Sequence, residues 1–372
     1  MNNIYLGLLI IAAGSFCQSS CYVPINKIKQ CSCESYWLIQ GVFAWLVFPF
    51  LGALLAVPEG HSLCELFANA NSFSLWMTVL FGVLWGVGGL TFGLSMRYLG
   101  VALGQSIALG TCAGLGTIMG PVLLNAFFPE LKPLEALTYA VIIGVVVTLI
   151  GIAIIGVAGS MKSAALSEEE KRAAVKDFNF PKGLAIALLA GFMSGCFNVG
   201  LEFGKEINFG ELTDPMFRTL PATLLVTCGG FVTNLIYCFY QNQANNTWGD
   251  YKKGSVWLNN AFFCLLAGAL WYSQFFGLSL GKGFLTDSPT LMTLSFCILM
   301  ALNVVFSNVW GIILKEWKGC SKLTIVVLLV GIAVLIISSF LPQLLQDSDV
   351  TEEVVPTENV AQVEADTTNQ DF

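Results

Sequence analysis

The chain has 372 residues, of which 56% are hydrophobic and 11% charged, against roughly a quarter charged in a soluble domain. One soluble globule cannot hide that excess, and apolar runs recur that are each long enough to cross a hydrocarbon core of about 30 Å. The formal charge of -7 argues against a nucleic-acid partner, and the expected fold class is an all-α polytopic membrane protein.

In chain order, ten transmembrane spans are predicted, at residues 4–24, 36–57, 73–96, 101–127, 136–158, 183–205, 216–240, 256–280, 290–314 and 323–345. Only Met1, Asn2 and Asn3 precede the first, with no basic n-region and no small-residue cleavage site, so that span is expected to persist rather than to be a removable signal. Of the 17 Lys and Arg, all but Lys132, Lys205, Arg218 and Lys282 fall in the loops after spans 1, 3, 5, 7 and 9. Basic loops stay cytoplasmic, which predicts that both termini are external. Residues 159–182 form a cytoplasmic linker carrying Ser167-Glu-Glu-Glu-Lys-Arg172. It separates five spans in 1–158 from five in 183–345, and because five is odd the two halves form a five-plus-five inverted repeat. Residues 346–372 are acidic and contain no Lys or Arg, the composition of a disordered tail.

Short internal matches fall in corresponding spans of the two halves. Gly14-Ser-Phe-Cys17 in span 1 is matched by Gly191-Phe-Met-Ser-Gly-Cys196 in span 6. Leu84-Trp85 and Phe92-Gly-Leu-Ser95 in span 3 are matched by Leu270-Trp271 and Phe276-Gly-Leu-Ser279 in span 8. Inverted repeats are the architecture of secondary transporters, with the site near the bilayer midplane. Glycines spaced four apart, such as Gly82 with Gly86 and Gly89 with Gly93 in span 3, predict close helix approach. Pro49 in span 2 and Gly120-Pro121 in span 4 predict kinked or unwound helices, since proline removes a hydrogen bond and clashes with the preceding turn.

Several strings carry a family resemblance: Cys21-Tyr-Val-Pro24, Glu34-Ser-Tyr-Trp37, Trp85-Gly-Val-Gly88, Met96-Arg-Tyr-Leu-Gly100, Trp271-Tyr-Ser-Gln-Phe-Phe276 and Leu314-Lys-Glu-Trp317. In this order on a ten-span chain, the sequence resembles the L-rhamnose/proton symporters of the drug/metabolite transporter superfamily. The resemblance implies proton-driven uptake of L-rhamnose across the bacterial cytoplasmic (inner) membrane, with sugar and H+ as partners and no cofactor beyond the proton gradient. Two stretches depart from the family pattern, Asn26 to Cys31 and Gly277 to Lys282, and the second bears on which sugar is carried.

A sugar site needs paired hydrogen-bonding groups and an aromatic face within a sparsely polar cavity. The candidates are Gln18 and Tyr22 in span 1, Trp85 in span 3, Gln105 in span 4, Asn198 in span 6, Asn234 in span 7, Trp271 and Gln274 in span 8, and Asn303 and Asn308 in span 9. Gln18 and Tyr22 share one helix face at i, i+4, as do Asn198 and Glu202, while Trp271 and Gln274 share one at i, i+3. Trp85 and Trp271, equivalent in the repeat, are expected to form paired walls. The competing reading of each amide is structural glue between helices, and of each tryptophan an interfacial belt residue.

A proton carrier must titrate within the membrane. The single histidine, His61, falls in a loop, so Glu202 is the first candidate for proton coupling. Lys205 at i+3 offers an alternative, structural pairing with it. Glu34 and Asp287 read more simply as helix N-terminal charges. Cys17, Cys112, Cys196, Cys228, Cys238, Cys264 and Cys297 lie singly in spans, Cys31-Ser-Cys33 falls in a cytoplasmic loop, and neither a metal-ligand spacing nor a catalytic motif occurs. An exporter or exchanger of another small metabolite in the same superfamily is the rival function. A nucleotide-sugar carrier would want more basic groups facing the cavity than Lys205 and Lys282 supply.

Overall fold

The computed structural model describes residues 4–99, 101–165, 180–315 and 317–352, leaving the side chains of residues 93, 96, 97, 101–103, 105, 180 and 342–352 undescribed. Most of the linker, residues 166–179, and most of the acidic tail, residues 353–372, therefore lie outside the described residues. Among the described residues, ten helices are long and apolar enough to cross a membrane. They are α1 (Ile4–Ile25) and α2 (Cys33–Leu54), α3 (Ser72–Leu99), α4 (Val101–Phe127), α5 (Tyr139–Ala164) and α6 (Phe180–Phe203). After these come α7 (Leu220–Asn245), α8 (Gly254–Gly283), α9 (Pro289–Ile313) and α10 (Lys322–Glu352). The chain is an all-α, multi-pass membrane protein, and its outer surface shows large apolar side chains such as Tyr139 (79% exposed) and Leu258 (86% exposed), as lipid contact requires.

Local chemistry sets the helix ends. The Thr138 hydroxyl accepts from the Val141 N–H at the start of α5, proline occupies the first turn of α7 and of α9, and Asn246 closes α7 in the left-handed conformation at φ 55°. α10 continues as helix to Glu352, past the expected boundary at 345, since neither glycine nor proline interrupts residues 343–352. α4 is not unwound at Gly120-Pro121 but runs as one helix through Pro121. α2 does answer to its proline: residues Val42–Val47 form a π-turn in which the Phe48 N–H reaches back to Phe43 O. Widening the turn ahead of Pro49 relieves the clash of the pyrrolidine ring with the carbonyl four residues earlier.

Helix packing has a regular pattern. α1 packs on α8 and α9, and α6 packs on α3 and α4; α8 also packs on α2, and α3 on α7. α4 packs on α5, and α9 on α10. Shifting each label by five turns one member of each of these relations into the other, while the pairs α2–α7, α5–α10 and α4–α9 map onto themselves. Glycines permit the closest approaches: a Cβ on Gly14 of α1 would stand 2.7 Å from Ser273 O of α8.

Polar contacts tie the α1–α2 loop to the start of α8 and the loop before it. The Lys29 N–H donates to Asn260 Oδ1 at 3.0 Å, while Asn260 Nδ2 donates to Lys29 O at 2.8 Å. Asp250 Oδ2 accepts from the Ser32 N–H at 2.8 Å, and Asp250 Oδ1 accepts from Lys253 Nζ at 2.6 Å. Burial pushes the Asp250 carboxyl up, but the bonds from Lys253 and Ser32 outweigh it and hold the group down at about 2.

Candidate functional site

A cavity of about 230 Å³ lies among α1, α2, α3, α4, α6, α7, α8 and α9. It falls below the roughly 300 to 1,000 Å³ of pockets for drug-sized ligands, which suits one small molecule. α9 contributes Phe296, Met300, Asn303 and Ser307 from a single face, α1 contributes Gln18 and Tyr22, and α8 contributes Trp271, Gln274 and Phe275. Tyr22 is 56% exposed whereas Phe197 is 1% and Phe296 2% exposed. The mouth is therefore at the C-terminal end of α1 and the deep end lies at the phenylalanines.

The floor is aromatic. Trp85 and Trp271 lie 5.7 Å apart with a 36° interplanar angle, and Trp45 stands edge-on to both, at 6.1 and 6.0 Å. Trp37 in turn meets Trp45 edge-on at 5.6 Å. The expectation of two opposed walls is thus corrected: a ring held between Trp85 and Trp271 would need about 3.5–4 Å of contact distance on each side, more than their separation allows. They form one platform, and the π-turn of α2 is what presents Trp45 to it.

Polar groups are few and partly fixed. Gln274 Nε2 donates to Trp271 O at 3.1 Å, and Asn303 Nδ2 donates to Gln274 Oε1 at 3.0 Å. Asn234 Oδ1 accepts from Trp37 Nε1 at 3.0 Å, and its Nδ2 donates to Gly230 O at 2.8 Å. Five buried side-chain atoms lack a hydrogen-bond partner among the described residues, and two of them, Trp45 Nε1 and Asn303 Oδ1, belong to cavity-lining residues. Buried polar atoms are bonded in the great majority of cases, so these two are an unsatisfied donor and an unsatisfied acceptor on residues that line the cavity. Among the described residues, the lining includes no Asp, Glu, Lys, Arg or His. A charged ligand would lose its hydration there without a counter-charge, whereas a neutral polyol would not.

Of the residues singled out from sequence, Gln18, Tyr22, Trp85, Trp271, Gln274, Asn303 and Asn234 line the cavity. Asn198 and Asn308 do not. Asn198, 3% exposed, donates to Gly116 O of α4 at 2.9 Å, and Asn308 donates to Val304 O of its own helix at 2.9 Å; both spend their amides on backbone carbonyls. The Gln105 side chain lies outside the described residues. Glu202 is absent from the lining and packs on α4: a Cβ on Gly120 would stand 2.7 Å from its Cγ. Lys205 is exposed and makes no ion pair with Glu202 among the described residues, while Lys282 of α8 lies within electrostatic range of Glu202. Trp37, Trp45, Phe197, Phe275, Phe296, Met300 and Ser307 were not anticipated; for Trp45 the available signal was Pro49 four residues on, since π-turns recur at functional sites.

These features define a multi-pass membrane protein with a half-aromatic cavity among its helices whose described lining is uncharged, the arrangement of a small-molecule carrier. The family model described as L-rhamnose-proton symport protein (RhaT) matches residues 1–345. The L-rhamnose-proton symporters of Yersinia pestis (strain Pestoides F) and Yersinia pseudotuberculosis serotype O:1b (strain IP 31758) are each 30% identical over 348 residues, covering 91% of this chain and 97% of theirs. The chain belongs to the L-rhamnose-proton symport protein family.

Proposed function

We propose that the protein takes up L-rhamnose across the bacterial cytoplasmic membrane together with a proton, as a member of the drug/metabolite transporter superfamily. Beside the family match, the observation that carries this reading is the cavity itself: a tryptophan platform for the C–H face of a sugar, with Asn303 Oδ1 and Trp45 Nε1 left for hydroxyls and no charge in the lining.

The two halves act as an inverted repeat, a reading supported by the five-step regularity of helix packing. The bias of basic residues supports an orientation with the loops after α1, α3, α5, α7 and α9 in the cytoplasm and both termini outside. The exposed Tyr22 end of the cavity then faces the cytoplasm, and Glu202, near the opposite end of α6, lies toward the outside. In that position Glu202 takes up the driving proton apart from the sugar, with Lys282 as its electrostatic neighbour. One charge moving through about 100 mV yields roughly 2.3 kcal/mol, enough for a sugar gradient of about fiftyfold.

The test uses the purified full chain in liposomes, with radiolabelled L-rhamnose and an imposed inward proton gradient. Gradient-dependent accumulation is expected. Glu202→Gln is expected to keep rhamnose exchange while losing accumulation. Accumulation indifferent to the gradient contradicts symport, and unchanged accumulation by Glu202→Gln removes Glu202 from the coupling role.

A further inference from the structure

The cavity changes character along its depth. Phe296, Met300, Asn303 and Ser307 follow one another along a single face of α9, at steps of four, three and four residues. Along that line the chemistry passes from aromatic ring to thioether to amide to hydroxyl. Ser307 Oγ reaches Ser19 Oγ of α1 at 3.4 Å, which places it beside the last turns of α1, near the exposed Tyr22. Phe296 is at the other end, where a Cβ on Gly116 of α4 would meet its ring edge at 2.9 Å.

Phe197, Phe275 and Phe296, which close the deep end, carry no hydroxyl, amide or charge. Phe197 and Phe275 stack at 3.9 Å with a 16° interplanar angle, and each also meets the tryptophan platform, Phe197 at Trp85 (5.1 Å) and Phe275 at Trp271 (5.3 Å). Cys112 of α4 and Met300 of α9 complete this end, at 4% and 7% exposure. The unpartnered Asn303 Oδ1 lies one turn nearer the mouth. A monosaccharide seated on the platform thus meets hydrogen-bonding groups on the mouth side and a dry, soft pocket on the other.

An ordinary hexose has nothing suited to that pocket, because its exocyclic carbon carries a hydroxyl that would be buried without a partner. A 6-deoxyhexose has a methyl group in that position. We infer that Phe197, Phe275, Phe296, Met300 and Cys112 form a methyl subsite that seats the C5 methyl of a 6-deoxyhexose and disfavours the corresponding hexose. This inference rests on the sugar-uptake reading and assigns the part of the cavity that sets its preference. Apolar pockets reject an added hydroxyl only moderately, by up to about a hundredfold, so the expected preference is in the range of about ten- to a hundredfold.

The experiment is competition for labelled L-rhamnose exchange in proteoliposomes by unlabelled L-rhamnose and by L-mannose, which carries a hydroxyl where L-rhamnose has only the methyl. The wild-type protein is expected to favour L-rhamnose by tens of fold. Met300→Gln and Cys112→Ser each bring a hydrogen-bonding group to the subsite, the second with almost no change of shape, and each is expected to reduce that preference about tenfold through tighter L-mannose binding. Asn303→Ala, which acts on the other side of the sugar, is expected to weaken both sugars and leave their ratio unchanged. A ratio unaltered in both subsite variants that still exchange L-rhamnose overturns the methyl subsite while leaving the uptake reading intact. A wild-type protein that exchanges neither sugar overturns the uptake reading, and the subsite with it.

Discussion

Asn303 donates its Nδ2 hydrogen to Gln274 Oε1 at 3.0 Å, an arrangement that fixes the amide and leaves Asn303 Oδ1 buried and unpartnered beside the tryptophan platform. Because Gln274 is itself anchored on Trp271 O, the orientation of that oxygen is set by α8 and α9 together. A hydroxyl donated to it restores a buried hydrogen bond, worth about 1 kcal/mol net and more where the alternative is an unpaired group. Asn303→Ala is expected to weaken L-rhamnose binding about tenfold, read by competition of unlabelled sugar for exchange in liposomes.

Trp45 combines an edge contact to two tryptophans with an unpartnered Nε1–H. Trp45→Phe keeps an aromatic ring and removes the donor, and is expected to lower sugar affinity several-fold with little change in thermal stability. Trp45→Ala also removes the support of the platform, so both affinity and melting temperature should fall. Comparing the two variants by sugar binding and by thermal unfolding in detergent separates the donor from the ring.

Asn198 gives the opposite pattern. Its amide holds Gly116 O between α6 and α4 and does not line the cavity. Asn198→Ala is expected to lower stability by about 1 kcal/mol, seen as a lower unfolding temperature, with L-rhamnose affinity unaltered. A large loss of affinity in a stably folded variant would return Asn198 to the binding site.

Two glycines separate packing from cavity shape. A Cβ on Gly89 meets nothing within 4 Å, and Gly89 lines the cavity; Gly89→Leu is expected to fold with near-normal stability and to block sugar binding. Gly14→Ala drives a methyl against Ser273 O, and overpacking of this kind costs about 1–3 kcal/mol, so that variant should unfold at lower temperature. Thermal unfolding and sugar exchange measured on both variants check the contrast.

Asp250 supplies a pH dependence. Its side chain is 8% exposed and its carboxyl is held at about 2, below the ordinary value near 3.9. The folded state therefore binds the proton less readily than the unfolded one, so the stabilisation is complete above pH of about 4 to 5 and is lost as pH falls through about 2. The shift corresponds to about 2 kcal/mol. Asp250→Asn is expected to be less stable than the wild type by a constant margin from pH 8 to 5, with the margin shrinking as the wild type is acidified further; unfolding temperatures measured across that range provide the check.

Apolar runs of about 20 residues sufficed to place all ten helices, because backbone groups inside a bilayer leave helix as the economical choice. The direction each face points was harder to read. The i, i+4 spacing correctly put Asn198 and Glu202 on one side of α6, but that side meets Gly116 and Gly120 of α4 rather than the cavity. In contrast, Gln18 with Tyr22 and Trp271 with Gln274 faced inward as their spacing suggested. A near-uniformly apolar helix carries no hydrophobic face to orient it, so cavity-lining Phe296 and Met300 look like any other apolar residues. Trp45 was hidden twice over, by the general habit of tryptophan at membrane interfaces and by a π-turn that shifts its direction.

The most direct measurement of the central claim is the pH of a weakly buffered medium around proteoliposomes when sugar is added with no imposed gradient. The account predicts that L-rhamnose alkalinises the medium as protons enter with it, and that Asn303→Ala requires more sugar for the same response. L-rhamnose entering the vesicles with no accompanying proton movement would contradict it.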